Sequence, residues 1–405
     1  MSEYGIRDKC HVNTNRDADT FVGIICDKGD FSVHFPLGFH VSEDDRNLRK
    51  DIMLLISAIE TTIGHRESGI QKSAEDCNQT GFPIQAYLSV IYDYFERGYY
   101  REREVEYNVA KKGKINWSRT IKTQRPVIQD DEAYYIDFVT RKNTVNENQI
   151  ITLIHEYCVA ESFEKIGWLF TDAKPQKPRI KRNERLFKSV LKEKLSRTFN
   201  DKNKILFNAM LQIIDNLQDE EAPIEYKYGT YRFEYVWEAL IDRVYGIEGK
   251  AAYFPKTTWK VKGKSYDNAS LEPDTIMLRG KDIYVLDAKY YKYGATGRLG
   301  DLPESTSINK QITYGEYVAK NIANNGIVYN AFLMPFDSLS KLWEAGEVIH
   351  IGEATGDWRQ NDKSYERVQG ILIDVKYLMH ITVREDSNEI FKLSECISKA
   401  VEGRE

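Results

Sequence analysis

Residues 271–289 read Leu-Glu-Pro-Asp-Thr-Ile-Met-Leu-Arg-Gly-Lys-Asp-Ile-Tyr-Val-Leu-Asp-Ala-Lys. Pro273-Asp274 opens a short apolar run, Arg279-Gly280-Lys281-Asp282 makes a polar turn, and Ile283 to Lys289 runs back. β-Branched and aromatic runs on either side of a glycine-bearing turn predict a hairpin. Side chains alternate along a strand, so Asp287 and Lys289 share a face, with the small Ala288 between them. Two carboxylates and a lysine at one end of a buried hairpin suit metal-assisted phosphodiester hydrolysis. The carboxylates hold a hard divalent cation, and the ammonium orients or acidifies water and offsets phosphate charge. The alternative is a surface hairpin whose aspartate caps the strand and whose lysine is solvated. Ile276, Leu278, Ile283 and Val285 are core-like residues and argue for burial.

Working outward, the 405-residue chain is long enough for two domains with proper cores. Its apolar and charged fractions, 41% and 29%, are those of an ordinary soluble globular protein. No apolar run is long enough to span a bilayer, and Met1–Asp8 has no apolar signal region, so a cytoplasmic protein with no membrane partner is expected. The five cysteines (Cys10, Cys26, Cys77, Cys158, Cys396) form no CxxC pair, which argues against a zinc site or a disulfide framework. The seven histidines are dispersed along the chain and suggest no metal ligation. A net charge of −5 disfavours a protein that coats nucleic acid non-specifically, but permits an enzyme with a local basic face. Asp172 to Lys204 carries twelve basic and four acidic residues. This run reads either as DNA contact or as a solvated linker and helix face.

The expected organisation follows from periodicity. Phe21–Cys26 and Phe31–Phe35 flank Asp27-Lys-Gly-Asp30 as a second hairpin, and Leu48–Ile63 has helical apolar spacing. Further helices are predicted at 85–94, 148–168, 184–199, 203–217, 232–244 and 307–322. Strands are predicted near 259–262, in the 273–289 hairpin, and at 326–334, 348–351 and 370–373. Pro175 and Pro178 mark a linker. The expected division is an N-terminal mixed α/β domain, 1–172, a basic linker, 173–183, and a C-terminal domain, 184–405. The fold class is α/β, with an α+β mixed sheet in the C-terminal half.

The pattern Pro-Asp274…Asp287-Ala-Lys289 resembles the PD-(D/E)XK nuclease superfamily. The predicted order around it (helix, three strands, helix, strand) is that superfamily's core order. Asp287 stands where glutamate is more frequent, which draws the carboxylate back by one methylene. The resemblance implies Mg²⁺ bound by Asp274, Asp287 and the Ala288 carbonyl, with Lys289 positioning and activating water. It also implies a glutamate from the preceding helix. Glu234 and Glu238 are four apart and share a helix side; Glu238, following Trp237, is favoured, with Glu234 second. In the next helix Gln311 and Tyr314 resemble the glutamine and tyrosine that line the site near phosphate in RecB-like and McrC-like nucleases. Tyr290, Tyr291 and Tyr293 are read as sugar or base contacts, or as strand-edge packing.

A narrower resemblance rests on four features in order. These are the Gly23-Ile-Ile hairpin with Phe35-Pro36, the Gly113-Lys-Ile-Asn-Trp117-Ser-Arg119-Thr120 segment, the Phe233–Glu238 helix and the Pro-Asp…Asp-Ala-Lys-Tyr-Tyr hairpin. Together they resemble the LlaJI family of restriction endonuclease subunits, relatives of McrC, over roughly residues 20–375. The family implies cleavage of double-stranded DNA with a separate McrB-like AAA+ GTPase. A methyltransferase is encoded in the same system without necessarily being bound. Gly113–Thr120 is the expected GTPase contact. Gly263-Lys264-Ser265 mimics a phosphate loop, but Thr258 stands where its first glycine belongs, and Glu248-Gly249-Lys250 is followed by Ala251. Any NTPase therefore lies on another chain. The rival readings are a RecB-like repair or recombination nuclease, a non-catalytic DNA-binding or assembly module, and a helical structural protein.

Overall fold

The computed structural model describes residues 5–16, 19–66, 82–129, 131–145, 148–171, 173–218, 223–382 and 388–403, with side chains omitted at 61–66, 103–105 and 143–145. Met1–Tyr4, Cys77, Asp172 and the Ile63 side chain lie outside these. The chain forms two compact units: Met1–Gly81 with Glu225–Glu405, and Phe82–Ile224. The division is therefore not at 173–183.

The first unit begins with β1 (Cys10–Val12), β2 (Val22–Asp27), β3 (Asp30–Phe35) and α1 (Asp45–Arg66). Lys28 and Gly29 both have positive φ (51° and 79°) in the two-residue turn of the predicted hairpin. That is the type I′ geometry that matches strand twist. Leu48, Ile52, Leu55, Ile56 and Ile59 are buried along α1, as its spacing predicts.

The second unit holds α2 (Ile84–Arg97), β4 (Arg103–Val109), β5 (Lys114–Ile115), α3 (Trp117–Thr123), β6 (Val127–Gln129), β7 (Glu132–Tyr134), β8 (Val139–Val145), α4 (Ile150–Ile166), α5 (Glu184–Arg197) and α6 (Asp201–Asp215). β4, β8 and β5 form a three-stranded sheet, and α2 packs on α4 and α6. Pro175 and Pro178 interrupt regular structure without separating packed units: α4 before them and α6 after them share α2 as a neighbour.

The chain then returns to the first unit through β9 (Tyr226–Thr230), which pairs antiparallel with β2 to give the sheet order β1-β3-β2-β9. This pairing places the N-terminal hairpin with the C-terminal half. Next come α7 (Phe233–Tyr245), β10 (Thr258–Val261), β11 (Lys264–Asp267), β12 (Thr275–Arg279), β13 (Asp282–Ala288), α8 (Tyr293–Thr296), α9 (Ser305–Asn321), β14 (Val328–Phe336), β15 (Val348–Ala354), β16 (Val368–Asp374), α10 (Val375–Ile381) and α11 (Asn388–Glu402). The central sheet has the order β12-β13-β14-β16-β15, with β13, β14 and β16 parallel and both outer strands antiparallel to their neighbours. Every residue of β14 is buried, as its nearly continuous apolar run requires in a strand covered on both faces. α9 provides the crossover that a parallel β13–β14 pair needs.

One expected strand is outside this sheet. The 259–262 segment forms β10, which pairs with β11 alone, and all eight residues of the pair are exposed. Its apolar residues, Trp259, Val261 and Tyr266, are each more than half exposed, so the pair covers no part of the core. Two strands of the central sheet, not three, therefore separate α7 from α9. Among the described residues no helix is long and apolar enough to cross a membrane.

Candidate active site

The β12–β13 register runs from Arg279↔Asp282 to Thr275↔Leu286. One step further, Asp274 faces Asp287, and directly opposed residues of an antiparallel pair share a face. Gly280, at the first central position of the turn, has φ +62°, a conformation that glycine adopts freely. The ladder changes at this end. Asp274 Oδ2, rather than a backbone carbonyl, accepts the Ala288 N–H at 2.9 Å. The Lys289 N–H donates to the Leu333 carbonyl on β14 at 2.9 Å. Ala288 therefore turns its peptide groups toward β12, where the opposed residue is Pro273. Proline has no N–H to offer the Ala288 carbonyl.

Asp287 is buried (3% exposed) and its carboxylate is ion-paired with the Lys289 ammonium. Burial, then the negative charges of Asp287 and Glu238, push the Asp274 carboxyl up to about 8, against the opposing pull of Lys289 and the Ala288 N–H. Burial alone depresses the Lys289 pKa, but Asp287 and Asp274 outweigh it and hold the ammonium above its ordinary value. Three carboxyl groups thus converge where Lys289 offsets only part of their charge. Oxygen donors in such excess fit a hard divalent cation.

α7 is held to the sheet at the same point. Trp237 is fully buried and its indole N–H donates to the Leu333 carbonyl at 3.1 Å, the oxygen that also takes the Lys289 N–H. The next residue is Glu238, whose charge acts on Asp274. Glu234, one turn earlier, is ion-paired with Arg232 and does not figure among the charges raising Asp274. One turn later Asp242 accepts from Lys250 Nζ (2.7 Å) and Thr275 Oγ1 (3.1 Å), while Lys250 also donates to the Asp274 carbonyl (2.5 Å). This clamp fixes the backbone of Asp274. No local signal in the sequence marks Lys250 for this role, because its contact with Asp274 spans 24 residues.

α9 contributes from its buried side. Gln311 is 1% exposed and donates its amide N–H to the Val285 carbonyl at 2.7 Å. Tyr314 is fully buried, with its hydroxyl 3.4 Å from the Glu272 carbonyl. Lys310 Nζ lies 5.4 Å from the Tyr314 ring centroid. Burial lowers the Lys310 pKa, but Tyr314, Asp287 and Asp274 together leave it raised, which places a second ammonium in the field of the carboxylates. Lys310 and Tyr314 are four apart, so helical spacing alone would have paired them. Of the tyrosines, Tyr290 packs on Phe233 and accepts the Leu37 N–H on its hydroxyl (2.7 Å), and Tyr293 packs on Trp343.

In the second unit, the Asn116 side chain caps α3 by accepting the Arg119 N–H at 3.1 Å. The Arg119 guanidinium lies 3.7 Å from the Tyr107 ring centroid, and Trp117 is 53% exposed with its ring edge to face with Phe138 at 5.7 Å. The basic run is largely neutralised locally: Arg179, Arg182, Lys188, Lys194, Arg197, Lys202 and Lys204 all sit in ion pairs. Gly263-Lys264-Ser265 lies at the β10–β11 turn, an exposed hairpin and not a phosphate cradle.

The mixed sheet, with two aspartates and a lysine at one strand end under a glutamate-bearing helix, is an α+β fold of nuclease-like organisation. A sequence model of the LlaJI restriction endonuclease family matches residues 21–351, and the chain belongs to that family. It is similar to a protein from Bacillus subtilis (strain 168) named Type II restriction enzyme BsuMI component YdjA, at 27% identity over 255 residues. That match covers 59% of this chain and 55% of the relative, so the chain spans about half the relative's length.

Proposed function

We propose that this chain is the nuclease subunit of a restriction system and hydrolyses phosphodiester bonds of double-stranded DNA. The observation that carries the reading is the pair Asp274 and Asp287, opposed one step beyond the β12–β13 ladder, with Lys289 bound to the second and Glu238 acting on the first. The reading takes the core to be of PD-(D/E)XK type. The residues suited to Mg²⁺ are Asp274, Asp287, Glu238 (directly or through water) and the Ala288 carbonyl. When bound, the ion supplies Lewis acidity at phosphate oxygen and lowers the pKa of the attacking water. Asp287 and Asp274 hold the Lys289 ammonium above its ordinary value, and Nζ is placed to orient that water and offset charge on the phosphate. Lys310 adds a second ammonium, steadied by Tyr314, and Gln311 holds β13 at Val285. Asp287, Glu238 and Lys289 together disfavour an apolar substrate and would suit a phosphate group whose charge a bound divalent cation offsets.

A supercoiled plasmid assay with the full chain tests this. Cleavage is expected with Mg²⁺, and Asp274→Ala and Lys289→Ala are each expected to reduce it by at least about 10²-fold while leaving DNA or partner binding intact. Retained cleavage in either variant overturns the assignment.

The partner in this reading is an McrB-like GTPase engaged through Gly113–Thr120, where Trp117 and Arg119 stand on α3 beside β8. A joint Trp117→Ala/Arg119→Ala variant is expected to abolish stimulation of the partner's GTP hydrolysis, and unchanged stimulation sinks that contact.

A further inference from the structure

His11 and His34 are 23 positions apart in a chain whose histidines show no cluster, yet they are directly paired in the parallel β1–β3 ladder. Opposed residues of a ladder project from one face, and the two rings meet edge to face at 5.6 Å. The connection from β1 to β2 brings Asp19 to the same place, where Oδ1 is 2.8 Å from His11 Nε2. One donor atom from each of the three side chains lies within 4.8 Å of the others. The surroundings orient them. Asp19 Oδ2 accepts from the Thr14 N–H (2.8 Å) and the Thr14 hydroxyl (2.9 Å), which leaves Oδ1 turned to the imidazoles. His34 is steadied by the Ser32 hydroxyl, 3.0 Å from Nε2, and by the edge of Phe21.

Two imidazoles and a carboxylate, with hydrogen-bonded support behind them, are the ligand chemistry of a borderline transition metal, not of Mg²⁺. Zinc bonds of about 2.0–2.2 Å require the three atoms to close up further, which rotation about the side-chain torsions supplies. We propose that His11, Asp19 and His34 form a divalent transition-metal site of the zinc class, separate from the carboxylates of the β12–β13 hairpin. The ion braces the β1–β2 connection against β3. That connection also carries Asn15, whose side-chain amide donates to the Tyr290 carbonyl at 3.3 Å, one residue beyond Lys289. A brace here steadies the strand end that presents the lysine.

The test uses the full chain carrying Asp274→Asn and Asp287→Asn, so that the hairpin carboxylates do not take up the probe. The chelator-stripped protein is titrated with Co²⁺ and followed by visible absorption. The expected result is one equivalent of Co²⁺ with the ligand-field band of a nitrogen- and oxygen-bound ion, displaced by Zn²⁺ and not by excess Mg²⁺. Adding His11→Gln and His34→Gln is expected to remove the band. A parent protein without the band overturns the proposal whatever the variants do, and so does a band that survives in the double histidine variant. DNA cleavage is not read in this experiment, so its failure leaves the nuclease reading untouched.

Discussion

Two hairpins follow one another in the chain and look alike in sequence. β10–β11 turns at Lys262-Gly263 and carries Lys264 and Asp267; β12–β13 turns at Gly280-Lys281 and carries Asp274, Asp287 and Lys289 nearby. Both have two-residue turns with a glycine at positive φ, and both mix aspartate with lysine. The first is exposed at all eight residues and pairs with nothing else. In the second, six of the seven β13 residues are buried, and β14, α7 and α9 close around it. Charges in water interact weakly and are screened, whereas the same charges under a cover act strongly on each other. Residue type is therefore common to both hairpins, and strong mutual electrostatics belong to the one that is enclosed.

The largest consequence is a dependence of stability on pH that only the enclosed hairpin produces. Asp274 holds its proton to about 8 in the folded chain, against 3.8 for an ordinary aspartate. Between those values the folded state binds more protons than the unfolded state, so stability falls as pH rises through the window. Urea unfolding in the presence of a chelator is expected to show midpoints declining from about pH 4 to about pH 8. Asp274→Asn is expected to flatten that decline, because the amide does not ionise. An unaltered slope in the variant means that Asp274 is not under pressure from its neighbours.

Next in size is the difference between two tryptophans. Trp237 is fully buried and bonds the Leu333 carbonyl, while Trp259 on β10 is 63% exposed. Trp237→Ala is expected to cost about 3–5 kcal/mol, the range for removing a large aromatic from a core. Trp259→Ala is expected to change stability by no more than about 0.5 kcal/mol. Chemical denaturation of both variants measures the gap, and similar costs would mean that enclosure does not separate the two hairpins.

The comparison also marks what a sequence shows. The hairpin, its turn, α7, α9 and the strands after them were legible because each has a local period and a local stop signal: the Arg279–Asp282 turn, the stripe from Phe233 to Val244, and the apolar run of β14. The aspartate pair and Lys289 were legible because opposed and alternate strand positions follow from register. What was not legible is long-range. Nothing near Gly23 announces that its strand pairs with Gly229, so no local signal joins the N-terminal hairpin to the C-terminal half. The Asp242–Lys250–Asp274 clamp and the meeting of His11 with His34 depend on the same kind of distant pairing. β10 is a strand, as its run predicts, but it lies outside the central sheet, because a local run says nothing of which sheet it joins.

The smallest effect separates the two glutamates of α7, and it asks whether the site's character lies in the hairpin alone or also in the helix that covers it. Glu238 raises the Asp274 pKa, whereas Glu234 is engaged by Arg232 at the rim. Removing the Glu238 charge relieves Asp274, so Glu238→Gln is expected to shift the pH-dependent loss of stability to lower pH and to make it smaller. The sign follows because a lower folded pKa brings Asp274 closer to its unfolded value and narrows the window in which the folded state holds the extra proton. Glu234→Gln loses one partly exposed ion pair, about 0–1 kcal/mol, and is expected to leave the pH profile where it was. If the two variants shift the profile equally, the helix acts on the hairpin as a general negative field and Glu238 has no special place in it. If only Glu238→Gln shifts it, the third carboxylate of the site is Glu238, and the enclosing helix contributes to the chemistry as well as to the burial.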